Sequence, residues 1–181
     1  MNRLQLTHVV AALGVLSRIA DVVSTRLVSP TLALEGNALM RRVGWKGAWA
    51  TVLAGLVAYW SVEVGIMFTT ASFLVAGSNL MRGWFTRFLG ELEVERLMIA
   101  AARRGRRRVA ITFVCSGGAC VIAAGALTMW LSGPAQWGFY SGFGILAYGA
   151  AIAIHGSSST VRLFKKAQKT DNSSSLQSSL Q

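Results

Sequence analysis

This chain has little charge, and least of all acid. Only 14% of its 181 residues are charged, with 7 Asp or Glu against 18 Lys or Arg. A water-soluble domain devotes about a quarter of its residues to charge, so the shortage excludes a surface that faces water throughout. Cysteine is nearly absent. Cys115 and Cys120 lie in one apolar run, where helical geometry turns them to different faces and disfavours a disulfide. They read as small packing residues. The two histidines, His8 and His155, are far apart in sequence and lack the close spacing of a metal site. No phosphate-cradling loop, nucleophile elbow, zinc-binding helix motif or haem-attachment motif is present. The sequence therefore names no catalytic residue, metal or cofactor.

What is present is apolar surface in long runs. Hydrophobic residues make up 53% of the chain, with a mean hydropathy of +0.49. Val109 to Gln136 contains no Asp, Glu, Lys, Arg or His, and Gly47 to Met81 contains only Glu63. Both runs exceed the ~20 residues a helix needs to cross the hydrocarbon of a bilayer.

The net charge of +11 is grouped rather than spread. Basic residues gather beside the apolar runs, and "RRGRRR" (Arg103 to Arg108) abuts the run that starts at Val109. This is the pattern of a cytoplasmic membrane flank. A nucleic-acid surface would add exposed aromatics or a recognisable module, so nucleic acid is not expected as a partner. Membrane lipid is, with other membrane-protein subunits or further copies of the chain.

These features predict an all-α, polytopic transmembrane bundle over residues 1–156. Five spans are expected, at about 5–28, 45–61, 64–84, 109–131 and 137–155, with a cytoplasmic interfacial helix over 86–104. The Ser29-Pro30 pair ends the first helix. The stretch from Trp45 to Trp84 would be roughly 60 Å as one helix, so a turn is placed near Ser61 to Glu63, beside Tyr59 and Trp60. Gly133 and Pro134 mark the turn of the last hairpin. In "FTRFLGELEVERLMIAAARRGRRR", Phe88, Leu92 and Leu97 alternate with charge, as in a helix lying at a membrane surface. The tail, 157–181, is basic and then Ser-rich, and disorder is expected beyond Lys169.

Five spans put all but Arg3 and Arg18 of the 18 basic residues on one side of the membrane. The membrane expected is a bacterial inner membrane, with the tail cytoplasmic. The six tryptophans fall near span ends, as in an aromatic belt. The amino terminus lacks a small-x-small cleavage site and reads as retained. If the charges of the first segment hold it at the surface, four spans remain.

Those charges define the candidate site. Gly14, Ser17, Asp21 and Thr25 recur at steps of three and four and share one helix face. Arg18 lies three before Asp21 and can pair with it, while Leu13, Leu16, Ile19 and Val23 are left for lipid or packing. An Asp at a helix centre costs about 2.5 to 3.5 kcal/mol on insertion scales. Such a group pairs, faces a bundle interior or serves a pathway. One reading makes Arg18 and Asp21 a structural pair that joins helices, with Arg26 reaching the interface. The other makes Asp21 and Thr25, with Glu35 and Asn37 in "LEGNALM", a site for a hard cation or a protonatable pair. An equal alternative reads Glu35 and Asn37 as loop ties to Arg41 or Arg42.

The order Asp21, Thr25, Glu35, Asn37, followed by an apolar span, resembles a family of small uncharacterised bacterial and archaeal membrane proteins. Its members open with an Asp-x-x-x-Thr helix and continue with Glu-x-Asn-Pro-Leu. The resemblance covers about residues 15–80, with Asn79 matching a polar residue of the third span. Ala38 stands where the family has proline. The resemblance implies which residues matter and no reaction. The function expected is a non-catalytic accessory or assembly subunit of a membrane complex, or a lipid-binding scaffold. The alternative is a small oligomeric transporter or membrane-embedded enzyme using Asp21 and Glu35.

Overall fold

The computed structural model describes residues 2–32, 34, 38–134 and 136–178, with residues 38, 39 and 170–178 described as backbone. The described residues are helical, without strands. Helix α1 spans Arg3–Val28, α2 Ala38–Ala50, α3 Val62–Leu89, α4 Glu91–Arg104, α5 Arg107–Ser132 and α6 Trp137–Ser178; a 3-10 segment, Thr51–Tyr59, follows α2. Four helices are long and apolar enough to cross a membrane: Arg3–Val28, Val62–Leu89, Arg107–Ser132 and Trp137–Lys169.

The chain punctuates these helices with local chemistry. Asn2 and Gln5 form a reciprocal capping box at the start of α1. The turn expected near Ser61 to Glu63 is a helix start: the Ser61 hydroxyl accepts from Val64 N at 3.2 Å and donates to Glu63 at 2.7 Å. Gly90, at φ 80°, ends α3 and opens α4, a conformation few other residues adopt cheaply. Glu91 and Glu93 then occupy the first turn of α4 and Arg103 and Arg104 the last, both favourable to the helix dipole.

The segment expected as a second span, 45–61, is not one α-helix. Gly44, at φ 69°, kinks α2, and from Thr51 the chain tightens into nine residues of 3-10 helix. This segment runs antiparallel to α1. His8 meets Tyr59, Gly14 meets Gly55, Arg18 meets Thr51 and Arg26 stacks on Trp45. While α1 advances from residue 8 to 26, its partner retreats only from 59 to 45. The greater rise of the 3-10 form, ~2.0 Å per residue against ~1.5 Å, accounts for the mismatch.

Helix α3 returns parallel to α1. Val10 lies beside Gly65 and Val28 beside Gly83. Asn79 bonds Ser24 at a separation of 55 positions, which the other two pairs share. The last two helices form an antiparallel hairpin sealed by glycine. A Cβ at Gly125 would lie 2.7 Å from Gly142 O, and one at Gly118 would lie 2.8 Å from Gly149 O. Gly138 and Gly142, the ends of "GFYSG" on α6, thus serve an internal contact, Gly138 against Ser132 and Gly142 against Gly125. Helix α6 also packs on α3, where a Cβ at Gly144 would lie 2.4 Å from Met67 O.

Helix α6 runs as one element from Trp137 to Ser178, across the boundary placed at 156. A helix already nucleated extends at little cost per residue. Near its far end it is also held by packing: Ala167 is buried, and Lys166 Nζ meets Glu95 of α4 at 2.6 Å.

Candidate functional site

The site grows from a seam of small residues. Gly65, Thr69, Ser72 and Ala76 are buried along α3 at alternating steps of four and three, and Gly14, Ser17, Asp21 and Ser24 are buried along α1 at steps of three and four. Parallel packing at one register sets Ser17 level with Ser72, Asp21 with Ala76 and Ser24 with Asn79. Of the apolar residues left over, Leu13, Leu16 and Val23 are exposed.

Within this seam Arg18 Nη1 pairs with Asp21 Oδ2, and both side chains are largely buried, at 16% and 11% exposure. Arg18 Nη2 donates to Thr51 Oγ1 at 2.6 Å, and Thr51 donates in turn to Ala48 O at 2.6 Å. The guanidinium stands 5.6 Å from the ring centroid of Phe68 on α3. One side chain therefore touches three elements. Thr25 Oγ1 is 3.5 Å from Asp21 Oδ1, a marginal hydrogen bond. Asn79 Nδ2 donates to Thr25 Oγ1 at 2.9 Å and to Ser24 Oγ at 3.3 Å, joining α3 to α1. The hydroxyls of Ser17 and Ser24 donate back to Gly14 O and Asp21 O.

Asp21, Thr25 and Arg18 are thus brought together, while Glu35 and Asn37 lie outside the described residues. Sequence reasoning missed Thr51 and Ser24 as partners, and only the family resemblance marked Asn79. It also missed Glu91. The first residue of α4 holds the chain just after α1: the Ser29 hydroxyl donates to Glu91 Oε1, and Thr31 N and Oγ1 donate to Oε2 at 3.1 and 2.9 Å. No local spacing signals this contact between residues about sixty apart.

The other candidates sit elsewhere. His8 Nδ1 lies 3.1 Å from Tyr59 Oη, and His155 is exposed on α6. Cys115 and Cys120 are free thiols. Among the described residues no three His, Cys, Asp or Glu side chains gather at one point. A groove of about 160 Å³ between α1 and α3 is lined by Leu27, Val28, Leu80, Gly83 and Trp84, with Ser24 and Arg87 as its polar members. Asp21 does not line it.

Chemically, this arrangement offsets a buried negative charge with a buried positive one and ties elements together through Arg18–Thr51 and Asn79–Thr25/Ser24, while the Ser17 and Ser24 hydroxyls donate within α1 and the buried Arg18 Nε and Thr69 Oγ1 have no hydrogen-bond partner among the described residues. Asn79→Leu should therefore weaken the α1–α3 seam by roughly 0.6 kcal/mol, the average measured for a polar contact between membrane helices, and by no more than about 1.7 kcal/mol. Denaturant unfolding in mixed micelles reads the change.

No protein-family model, curated protein or solved structure matches this chain.

Proposed function

We propose that this chain is a non-catalytic integral membrane protein that acts as an accessory or assembly subunit of a larger membrane complex, with α1, α3 and the 3-10 segment as its internal brace. The observation that carries this reading is Arg18, whose guanidinium engages Asp21, Thr51 and the face of Phe68. A substrate site keeps such groups available; a brace uses them on each other. The exposed length of α5, with Phe113, Leu127 and Trp130 outward, is the apolar face such a subunit offers to lipid or to neighbouring helices.

Five crossings fit this arrangement better than four. Two successive crossings that run parallel, as α1 and α3 do, require a return crossing between them. Six α-helical residues from Trp45 and nine 3-10 residues reach roughly 27 Å, close to the ~30 Å of the hydrocarbon. The basic groups then share a cytoplasmic face with α4, which lies at the interface with Leu92 and Leu97 exposed. A bacterial inner membrane suits that asymmetry, and the Asp21, Thr25, Glu35, Asn37 order keeps its resemblance to the small membrane-protein family.

The second reading, a small oligomeric transporter or membrane-embedded enzyme, draws support from the groove that reaches Ser24. Asp21→Asn separates the two. In the brace reading it lowers thermal stability in detergent and partner retention together, and conditions that restore stability restore retention. Loss of function at unchanged stability and membrane abundance would favour a site at Asp21.

A further inference from the structure

Two basic clusters about sixty residues apart in sequence converge at one end of the bundle. Arg104 closes α4, Arg106 is the N-cap of α5, and Arg107 and Arg108 start that helix. Lys165 and Lys169 lie on α6. The packing of α4 on α6 joins them: Phe164 reaches within 3.8 Å of where a Cβ on Gly105 would stand, and Lys166 pairs with Glu95. Buried Val94, Ala102 and Ala167 complete the contact. All six cations are exposed, and among the described residues no ion pair engages them.

Like charges held together by packing repel; Glu95 offsets Lys166, while Arg104, Arg106, Arg107, Arg108, Lys165 and Lys169 stay without an ion pair among the described residues. The convergence makes a ledge with two basic walls, one from the α4–α5 junction and one from α6, carried by neighbouring elements of the kind whose helix axes pack ~8–10 Å apart. A headgroup with one phosphate reaches a single wall. A headgroup carrying two linked phosphates reaches both while its acyl chains stay in the leaflet.

We propose that this ledge binds a polyanionic phospholipid headgroup, of the kind that carries two phosphates, in the leaflet that faces α4. The proposal rests on the placement of α4 and the end of α6 at one membrane face, and it adds a ligand class and a site to the subunit reading. Lipid is favoured over a soluble anion because the ledge adjoins the apolar start of α5, and basic pockets beside membrane helices capture such headgroups.

The test uses the full chain in nanodiscs of phosphatidylcholine containing equal parts of phosphatidylglycerol, with one phosphate, and cardiolipin, with two. Native mass spectrometry counts the lipids that leave with the protein. The wild-type chain should retain cardiolipin preferentially. Lys165→Gln/Lys169→Gln and Arg104→Gln/Arg107→Gln should each reduce that retention, by roughly fivefold for each cation removed near an anionic surface. Arg41→Gln/Arg42→Gln, with the same loss of charge elsewhere, should leave it unchanged.

Retention in proportion to lipid charge alone, or an equal loss in Arg41→Gln/Arg42→Gln, would overturn the site. Displacement of bound lipid by soluble pyrophosphate would assign the ledge to a free anion and overturn the lipid assignment. A chain that fails to enter the nanodisc contradicts the membrane reading itself, whereas an inserted chain without preference contradicts only the ledge.

Discussion

Replacing Arg18 with Met should lower the free energy of unfolding by about 3 to 5 kcal/mol, because it leaves the Asp21 carboxylate inside the bundle without its cation. Arg18 also donates to Thr51 and stacks on Phe68, so its loss loosens the 3-10 segment as well as α1. The informative variant is the double one. Arg18→Met/Asp21→Leu removes both charges and should recover most of the lost stability, since apolar replacement of a buried ion pair is often neutral or stabilising. Unfolding curves in mixed micelles for the two single variants and the double variant form the cycle that reads this coupling. A double variant no more stable than Arg18→Met would show that Asp21 is held by other contacts.

The second large effect concerns Gly14 and Gly55. A Cβ at Gly14 would lie 2.5 Å from Gly55 O, and one at Gly55 would lie 2.4 Å from Val15 N. Backbone faces backbone at this crossing, so no flexible side chain can yield. Gly14→Leu and Gly55→Leu should each cost about 1 to 3 kcal/mol or more through overpacking. Both should also part Arg18 from Thr51, which lies one turn further along the same contact. Gly77 provides the control, with nothing within 4 Å of an added Cβ. Gly77→Ala should gain up to about 1 kcal/mol from helix propensity. Thermal unfolding of the purified variants ranks the three, and membrane abundance should follow the same order.

The parts of this structure that were legible in the sequence are local ones. Helix periodicity set Gly14, Ser17 and Asp21 on one face, and an i, i+3 step is enough to pair Arg18 with Asp21. The restart at Ser61 and the turn at Gly133 follow from a capping hydroxyl and a glycine at positive φ. Partners across helices were harder, because they depend on register. Thr51 and Ser24 carry no signal until the antiparallel and parallel offsets are known. In hindsight the steps of three and four from Gly65 to Asn79 mark a seam on α3, yet the same spacing in apolar helices also faces lipid. The 3-10 form of Thr51–Tyr59 was not legible either. Its residues are ordinary helix formers and strand formers, and the tighter winding arises where the segment lies against the longer α1. The clamp from Glu91 to Ser29 and Thr31 likewise arises only when α4 folds back to the end of α1.

The central claim, that the chain is a braced subunit rather than a free-standing catalyst or carrier, is tested most directly by a native mass spectrum of the protein released gently from its own membrane. The account predicts a stoichiometric protein partner in wild type, weakened in Arg18→Met and restored in Arg18→Met/Asp21→Leu. A lone oligomer that retains a small ligand or cation, and loses it in Asp21→Asn or Glu35→Gln, would contradict it.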